Sequence, residues 1–409
     1  MVKEGLMFRR SMSFLKPAVS ALFLLSATAI LGSGLLASGD AASAATAYKV
    51  NVGGGGRGIA VEEFMPGDLT VQQGDTIQFL NPYEEIHTVT YVAGGPVPAL
   101  IVPAPGAAPS AGPPKLIFNP PVAFPTNEAT SLFFDGSQYA NSGIIGKGES
   151  WNVTFTTQGA FAFLCVLHPG MEASVKVVDT NTEATAPAKA EFDAAARLTE
   201  TLEAGERSAA RAMPGKATAA GGATTWEVLN APSAGQADVM RFIPQRLQVN
   251  AGDTVLWKND TPVPHTITFG GSPELVLPEP QAGGPPWLVL NPQVLFPVKP
   301  SQNYGDSGYA NSGFIGTGPE STAGSSFSLT FTTPGTYLYV CVLHADQGMA
   351  GVVEVVGSAT GGGTVRPPAT GDAGLVASDE ATAPWVALAL LAPFGLAAFL
   401  VSRRLLARG

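Results

Sequence analysis

A chain of 409 residues with 45% hydrophobic content has room for two or three domains with buried cores. Its formal net charge is −10, yet the two ends are basic, with Lys3, Arg9, Arg10 and Lys16 against Glu4 and Asp40 at one and Arg403, Arg404 and Arg408 at the other, which leaves an acidic body of about −15 between them. No basic stripe is present to neutralise phosphates, so nucleic acid is excluded as a partner, whereas a basic protein partner suits the acidity.

The N-terminus has basic residues through Lys16, an apolar run from Ala18 to Leu36 and then small residues, Ala42-Ser43-Ala44 and Thr46-Ala47. This layout predicts a secretory signal peptide over residues 1–47, with an uncleaved anchor as the alternative. A first unit over 48–179 opens with YKVNV, which alternates as a strand does. Leu69 to Asn81 gives two strand-like runs around Gly74-Asp75, a pattern that predicts a hairpin. Ile86 to Val92 carries His87 on a further strand or at its lip, and Ala93 to Pro125, rich in Pro, Gly and Ala, reads as a long loop. Strand character returns in WNVTFTT and in AFAFLCV, which runs into Cys165-Val-Leu-His168-Pro-Gly-Met171.

Residues 180–223 form a linker whose segment Pro187 to Met213 has helical composition, with Phe192, Ala195, Leu198 and Leu202 at helical spacing. A second unit then occupies 224–357 and repeats the first. Phe64 to Thr90 aligns with Phe242 to Thr268 without a gap at an offset of 178; FNPPVAFP answers LNPQVLFP, and YANSGIIG answers YANSGFIG. With two copies the chain is a tandem pair of domains, not a solenoid. The Tyr-Ala-Asn-Ser-Gly copies read as structural turns. Beyond lies a Gly, Thr and Pro-rich linker over 358–384, an apolar run over 385–401 and a basic tail over 402–409. These predict a C-terminal transmembrane anchor with a cytoplasmic tail; Pro367 to Gly371 resembles a cell-wall sorting pentapeptide with Pro where Leu is usual, which leaves sorting as an alternative.

Both cysteines and all four histidines fall into the two copies: His87, Cys165 and His168 in one, His265, Cys341 and His344 in the other, each set followed by a methionine, Met171 or Met349. A disulfide would have to tie two equivalent positions together, and is disfavoured. Cys thiolate, two imidazoles and a distant thioether form a ligand set for copper. Zinc prefers four close ligands, and no C-x-x-C-H occurs for haem. The upstream His lies 78 residues before its Cys in the first copy and 76 in the second, a distance over which a Greek-key sandwich folds back.

An upstream His followed by C-x-x-H-x(n)-M resembles the cupredoxin family, the plastocyanin, amicyanin and halocyanin group. The resemblance implies an all-β fold of two tandem Greek-key sandwiches joined by a helical linker, holding two blue-copper ions. It makes His87, Cys165, His168 and Met171 the ligands of one, and His265, Cys341, His344 and Met349 those of the other. His168 to Met171 has the short amicyanin-like spacing and His344 to Met349 the longer plastocyanin-like spacing, an inequality expected to tune the two sites apart. The implied function is membrane-anchored, extracytoplasmic electron transfer at the outer face of the cell membrane, with a cytochrome or membrane oxidase as partner. Copper storage or delivery is the alternative, and an oxidase subunit a lesser one. A multicopper oxidase or nitrite reductase needs further histidines, and all four here are already allocated, so no enzymatic activity is expected.

Overall fold

The computed structural model describes residues 45–357 except 107–111, 127–130, 300–302 and 306–307. The expected signal peptide and C-terminal anchor fall almost wholly outside these residues. No helix among the described residues is long and apolar enough to cross a membrane.

The first unit contains β1 (Ala47–Gly56), β2 (Ile59–Met65), β3 (Asp68–Gln72), β4 (Thr76–Leu80), β5 (Thr90–Tyr91), β6 (Ile101–Pro103), β7 (Leu116–Phe118), β8 (Ser131–Phe134), β9 (Ala140–Asn141), β10 (Ser150–Phe155), β11 (Gly159–Leu164) and β12 (Glu172–Val178). One sheet carries β2-β1-β4-β10-β8 and the facing sheet β3-β12-β11-β5-β9. Alternation along each strand turns Val50, Ile77, Phe79, Val153, Phe163 and Val175 into the space between them. The second unit repeats this arrangement. Its β14 (Thr224–Asn230), β18 (Thr254–Lys258) and β24 (Ser326–Phe331) face β17 (Arg246–Asn250), β26 (Ala350–Val356), β25 (Gly335–Val340) and β19 (Thr268–Phe269) around Trp257, Phe269, Phe331 and Tyr339.

The run around Gly74-Asp75 is not a hairpin. Strand β3 pairs with β12 and β4 pairs with β1 and β10, so the turn carries the chain from one sheet to the other. The reason lies in Asp75. Its carboxylate accepts from Gln72 N–H at 2.7 Å and from Thr46 N–H at 2.7 Å, while Gly74 N–H, at φ +98°, donates to Phe155. The turn is thereby tied to β1 and β10 rather than closed on itself. Asp253 does the same in the second unit, accepting from Asn250 and Thr224.

The stretch from Ala93 to Pro125 is likewise more than loop. Strands β6 and β7 and a helical turn, α1 (Pro120–Ala123), form within it. The two strands pair with each other, β7 also pairs with β21 (Trp287–Leu290) of the other unit through Ile117 and Val289, and β20 (Val276–Glu279) completes a four-stranded sheet. The pairing of β7 with β21, some 170 residues away, leaves no local signal. Beneath this sheet Leu100, Phe118, Val122 and Ile144 meet Leu288, Leu290, Val294 and Phe314 in an apolar cluster drawn from both units.

The linker is a helix, α2 (Pro187–Arg211), lying against β1, β2 and β15 (Ala237–Val239). Its buried positions are Ala190, Ala194, Thr201 and Gly205, with Leu198 and Leu202 packed beside them. Phe192 and Ala195, expected on that face, are exposed, because small side chains let the helix approach the strands closely. Arg197 clasps Glu63 of β2 through Nε at 2.6 Å and Nη2 at 2.8 Å. Strand β15 belongs to the second unit by sequence but pairs with β2 of the first, so the units are interleaved as well as tandem.

Candidate metal centres

Each centre begins with a strand that ends at a cysteine. Cys165 follows β11 and Cys341 follows β25; both thiols are free and buried. The loop after each folds back, with Cys165 N–H donating to Met171 O at 2.9 Å and Cys341 N–H to Met349 O at 3.0 Å. This brings His168 and His344 beside the sulfur that precedes them, with Nδ1 to Sγ distances of 3.5 and 3.4 Å. The upstream histidines come from the other edge. His87 bridges to Ile145 and His265 to Ile315, and both loops are held by an asparagine that donates to two carbonyls, Asn81 to Glu85 and Ile145, Asn259 to Val263 and Ile315.

The result is two near-identical triangles. In the first, His87 Nδ1 lies 3.1 Å from His168 Nδ1 and 3.8 Å from Cys165 Sγ. In the second, His265 Nδ1 lies 3.0 Å from His344 Nδ1 and 3.7 Å from Cys341 Sγ. All six side chains are buried. Met171 and Met349 are 1% and 0% exposed and share the hydrophobic cluster of the cysteine in their own unit.

The chemistry of these donors fits copper. Burial alone would push the Cys165 thiol up, but the His168 charge and hydrogen bonds from both histidines hold it well below its ordinary value; Cys341 is held down by His344 and His265 in the same way. A thiolate beside two imidazole nitrogens in a dry pocket is the soft set that copper takes.

The chain belongs to the plastocyanin/azurin family of copper binding proteins. That family's model matches residues 50–178 and 230–356, one match per unit. The chain is 31% identical over 148 residues to a chloroplastic plastocyanin of Oryza sativa subsp. indica, covering 36% of this chain and 74% of that protein. It is 30% identical over 175 residues to the chloroplastic plastocyanin of Physcomitrium patens, covering 42% and 86%. A solved reduced amicyanin variant, 19% identical, covers 32% of this chain and 82% of that one at a TM-score of 0.20. Two copper ions, one per His/Cys/His group, are the protein's cofactors.

Several supporting residues were not singled out from sequence. Thr88 and Thr266 each donate a backbone N–H to the cysteine sulfur, at 3.4 and 3.3 Å, and their hydroxyls accept from Val166 and Val342. Thr90 and Thr268 extend the chain to Asn141 and Asn311, at 2.8 Å each. Each of these asparagines donates to three carbonyls in or beside a helical turn, α1 or α3 (Pro292–Leu295). The Tyr-Ala-Asn-Ser-Gly copies are therefore structural, and they brace the cysteine from behind. Gly53 is needed for space: at φ +75°, a Cβ there would sit 2.1 Å from His87 Nε2.

Two carboxylates lie among the histidines. Glu85 reaches His168 Nε2 at 3.6 Å and His344 Nε2 at 3.4 Å, so one buried side chain touches a histidine of each centre. Burial would raise its pKa, but the His344 and His168 charges hold it well below the usual carboxylate range. Glu62 Oε2 lies 3.0 Å from His168 Nδ1 and 3.8 Å from His87 Nδ1. At 4% and 2% exposure, His168 and His344 are both shut off from solvent, with Glu85 beside each.

Proposed function

We propose that the protein is an extracytoplasmic electron carrier with two blue-copper centres, each held by one Cys, two His and a distant Met, and coupled to each other inside the molecule. The ligands are His87, Cys165, His168 and Met171 at one centre and His265, Cys341, His344 and Met349 at the other. The observation that carries this reading is the single carboxylate of Glu85 placed between His168 and His344. Copper in such a donor set accepts and releases one electron with little rearrangement of its ligands. The chain's own part is to keep those ligands fixed. Asn81 and Asn259 hold the upstream loops, Thr88 and Thr266 hold the sulfur, and the shared apolar cluster, which packs against Val166, Leu167, Val342 and Leu343 after each cysteine, excludes water. Imidazole, carboxylate and imidazole then form a short protein path from one centre to the other.

All four histidines stand in these two groups, which favours a carrier over an enzyme. The apolar runs at both ends of the sequence favour export and anchoring at the outer face of the membrane, and the acidic body favours a basic donor or acceptor such as a cytochrome or a membrane oxidase.

The test is to load the full-length protein with copper(II), count the metal, and follow electron redistribution after photochemical reduction. Two ions per chain with an intense thiolate-to-copper band are expected, and Cys165→Ser and Cys341→Ser should each remove one chromophore. Redistribution between the centres should be independent of protein concentration and slower in Glu85→Leu. A redox-silent protein that still binds copper tightly would point instead to storage or delivery.

A further inference from the structure

The two centres are alike in their triangles but not in what stands beside them. Glu62 lies on β2, and its carboxylate oxygen is 3.0 Å from His168 Nδ1 and 3.8 Å from His87 Nδ1, distances of the same size as those separating the nitrogens and sulfur from one another. Carried two residues upstream of the aligned stretch, the same offset of 178 sets Met240 opposite Glu62, and among the described residues no carboxylate makes an ion pair with Nδ1 of His265 or His344.

We propose that Glu62 is a further ligand of the first copper, making that centre a carboxylate-bound site and the second a carboxylate-free one. The inference rests on the reading of His87, Cys165 and His168 as a copper site, and goes beyond it by adding an oxygen donor. Three observations support it. Glu62 is 3% exposed, and neither of its oxygens has a hydrogen-bond partner among the described residues. Its ion-pair partners among the described residues are the nitrogens of His168 and His87, which a metal would take up; burying a carboxylate stripped of such partners is costly, and a metal ion at those nitrogens supplies the cation in their place. In addition, His168 Nδ1 has no proton to give Glu62 once its lone pair is committed to a metal, so the 3.0 Å contact has no stable meaning in the loaded protein unless the oxygen binds as well.

The second unit builds this feature. Glu62 N–H donates to Gln236 O at 2.8 Å, and β15 pairs beside it, so the edge strand contributed by the other domain is what buries the carboxylate. A small cavity of about 30 Å³, lined by Glu62, His168, Gln236 and Asp238 among others, lies at the same seam. A hard oxygen donor favours copper(II) over copper(I), which lowers the first centre's potential relative to the second and gives transfer between them a direction.

The experiment uses full-length C341S protein, in which only the first site can show a thiolate chromophore, with Glu62→Gln and Glu62→Met added in turn. Expected are a loss of copper(II) affinity of about tenfold or more in both variants, a smaller copper hyperfine splitting by electron paramagnetic resonance, and, for Glu62→Met, an absorption spectrum moved toward that of the second site as seen alone in C165S protein. Cobalt(II) uptake gives a second readout: its ligand-field bands should strengthen as the coordination number falls on removal of the carboxylate. Retention of the second site's colour in the Glu62→Met single variant controls for folding. If C341S protein and both Glu62 derivatives share one set of copper and cobalt spectra, Glu62 is not a ligand, while the copper reading of the first site stands. If C341S protein takes up no copper, both readings fall.

Discussion

At the scale of single residues, the chemistry of each centre is set by charges that must be rearranged before a metal enters. Burial lowers the affinity of His344 for a proton, but Glu85 and the Cys341 thiolate outweigh it and push its pKa up to about 9. Near pH 7, therefore, His344 is an imidazolium, and its charge favours the thiolate form of Cys341. Metal binding needs the neutral imidazole. Copper(II) uptake at the second centre, measured by pH-stat on C165S protein, should release about one proton per ion near pH 7, given up by the His344 imidazolium. The release should fade as pH rises through about 9, where His344 loses its proton unaided. The donor residues were legible in the sequence because both copies keep the same Cys, His and Met order. Glu62 and Glu85 were not, since a glutamate, on a strand as Glu62 is or in a bend as Glu85 is, ordinarily faces solvent, and nothing in a linear pattern shows that another domain covers it.

At the scale of elements, the Pro- and Gly-rich insertions became the joint between the domains. Ile117 is fully buried on β7 and pairs with Val289 of β21. Ile117→Ala should destabilise the protein by about 2–5 kcal/mol through lost burial and the cavity it leaves, measured by urea denaturation of the metal-free protein. Because the pair joins the two units, colour should weaken at both copper centres and not at the first alone. The linker helix teaches a related lesson. Its existence and length followed from composition, but its buried face was set by fit. Gly205 meets Ile59 and Ala237, and Ala194 meets Val61 and Met65, while the larger Phe192 turns outward. The turn at Gly74-Asp75 had the residues of a hairpin and became a crossing between sheets, because Asp75 found its donors in Thr46 as well as in its own turn.

At the scale of the whole molecule, the domains share a sheet, a hydrophobic cluster, an edge strand and a carboxylate. Domains that share a sheet and an apolar cluster are expected to unfold together. Calorimetry of the metal-free protein should show one cooperative transition, and two resolved transitions would mean the seam is too weak to couple the domains. His168 and His344 are both buried against the same carboxylate, that of Glu85. The sequence by itself determined the duplication, the two-sandwich β architecture and the Cys, His and Met donors, because repeats, strand alternation and ligand spacing are local or directly comparable along the chain. Only the tertiary structure decided that the two centres share a carboxylate and that one of them has a second carboxylate at its metal-binding nitrogens. Those contacts join side chains across a domain boundary, and their formation depends on which strand edges and apolar faces find each other when the chain closes.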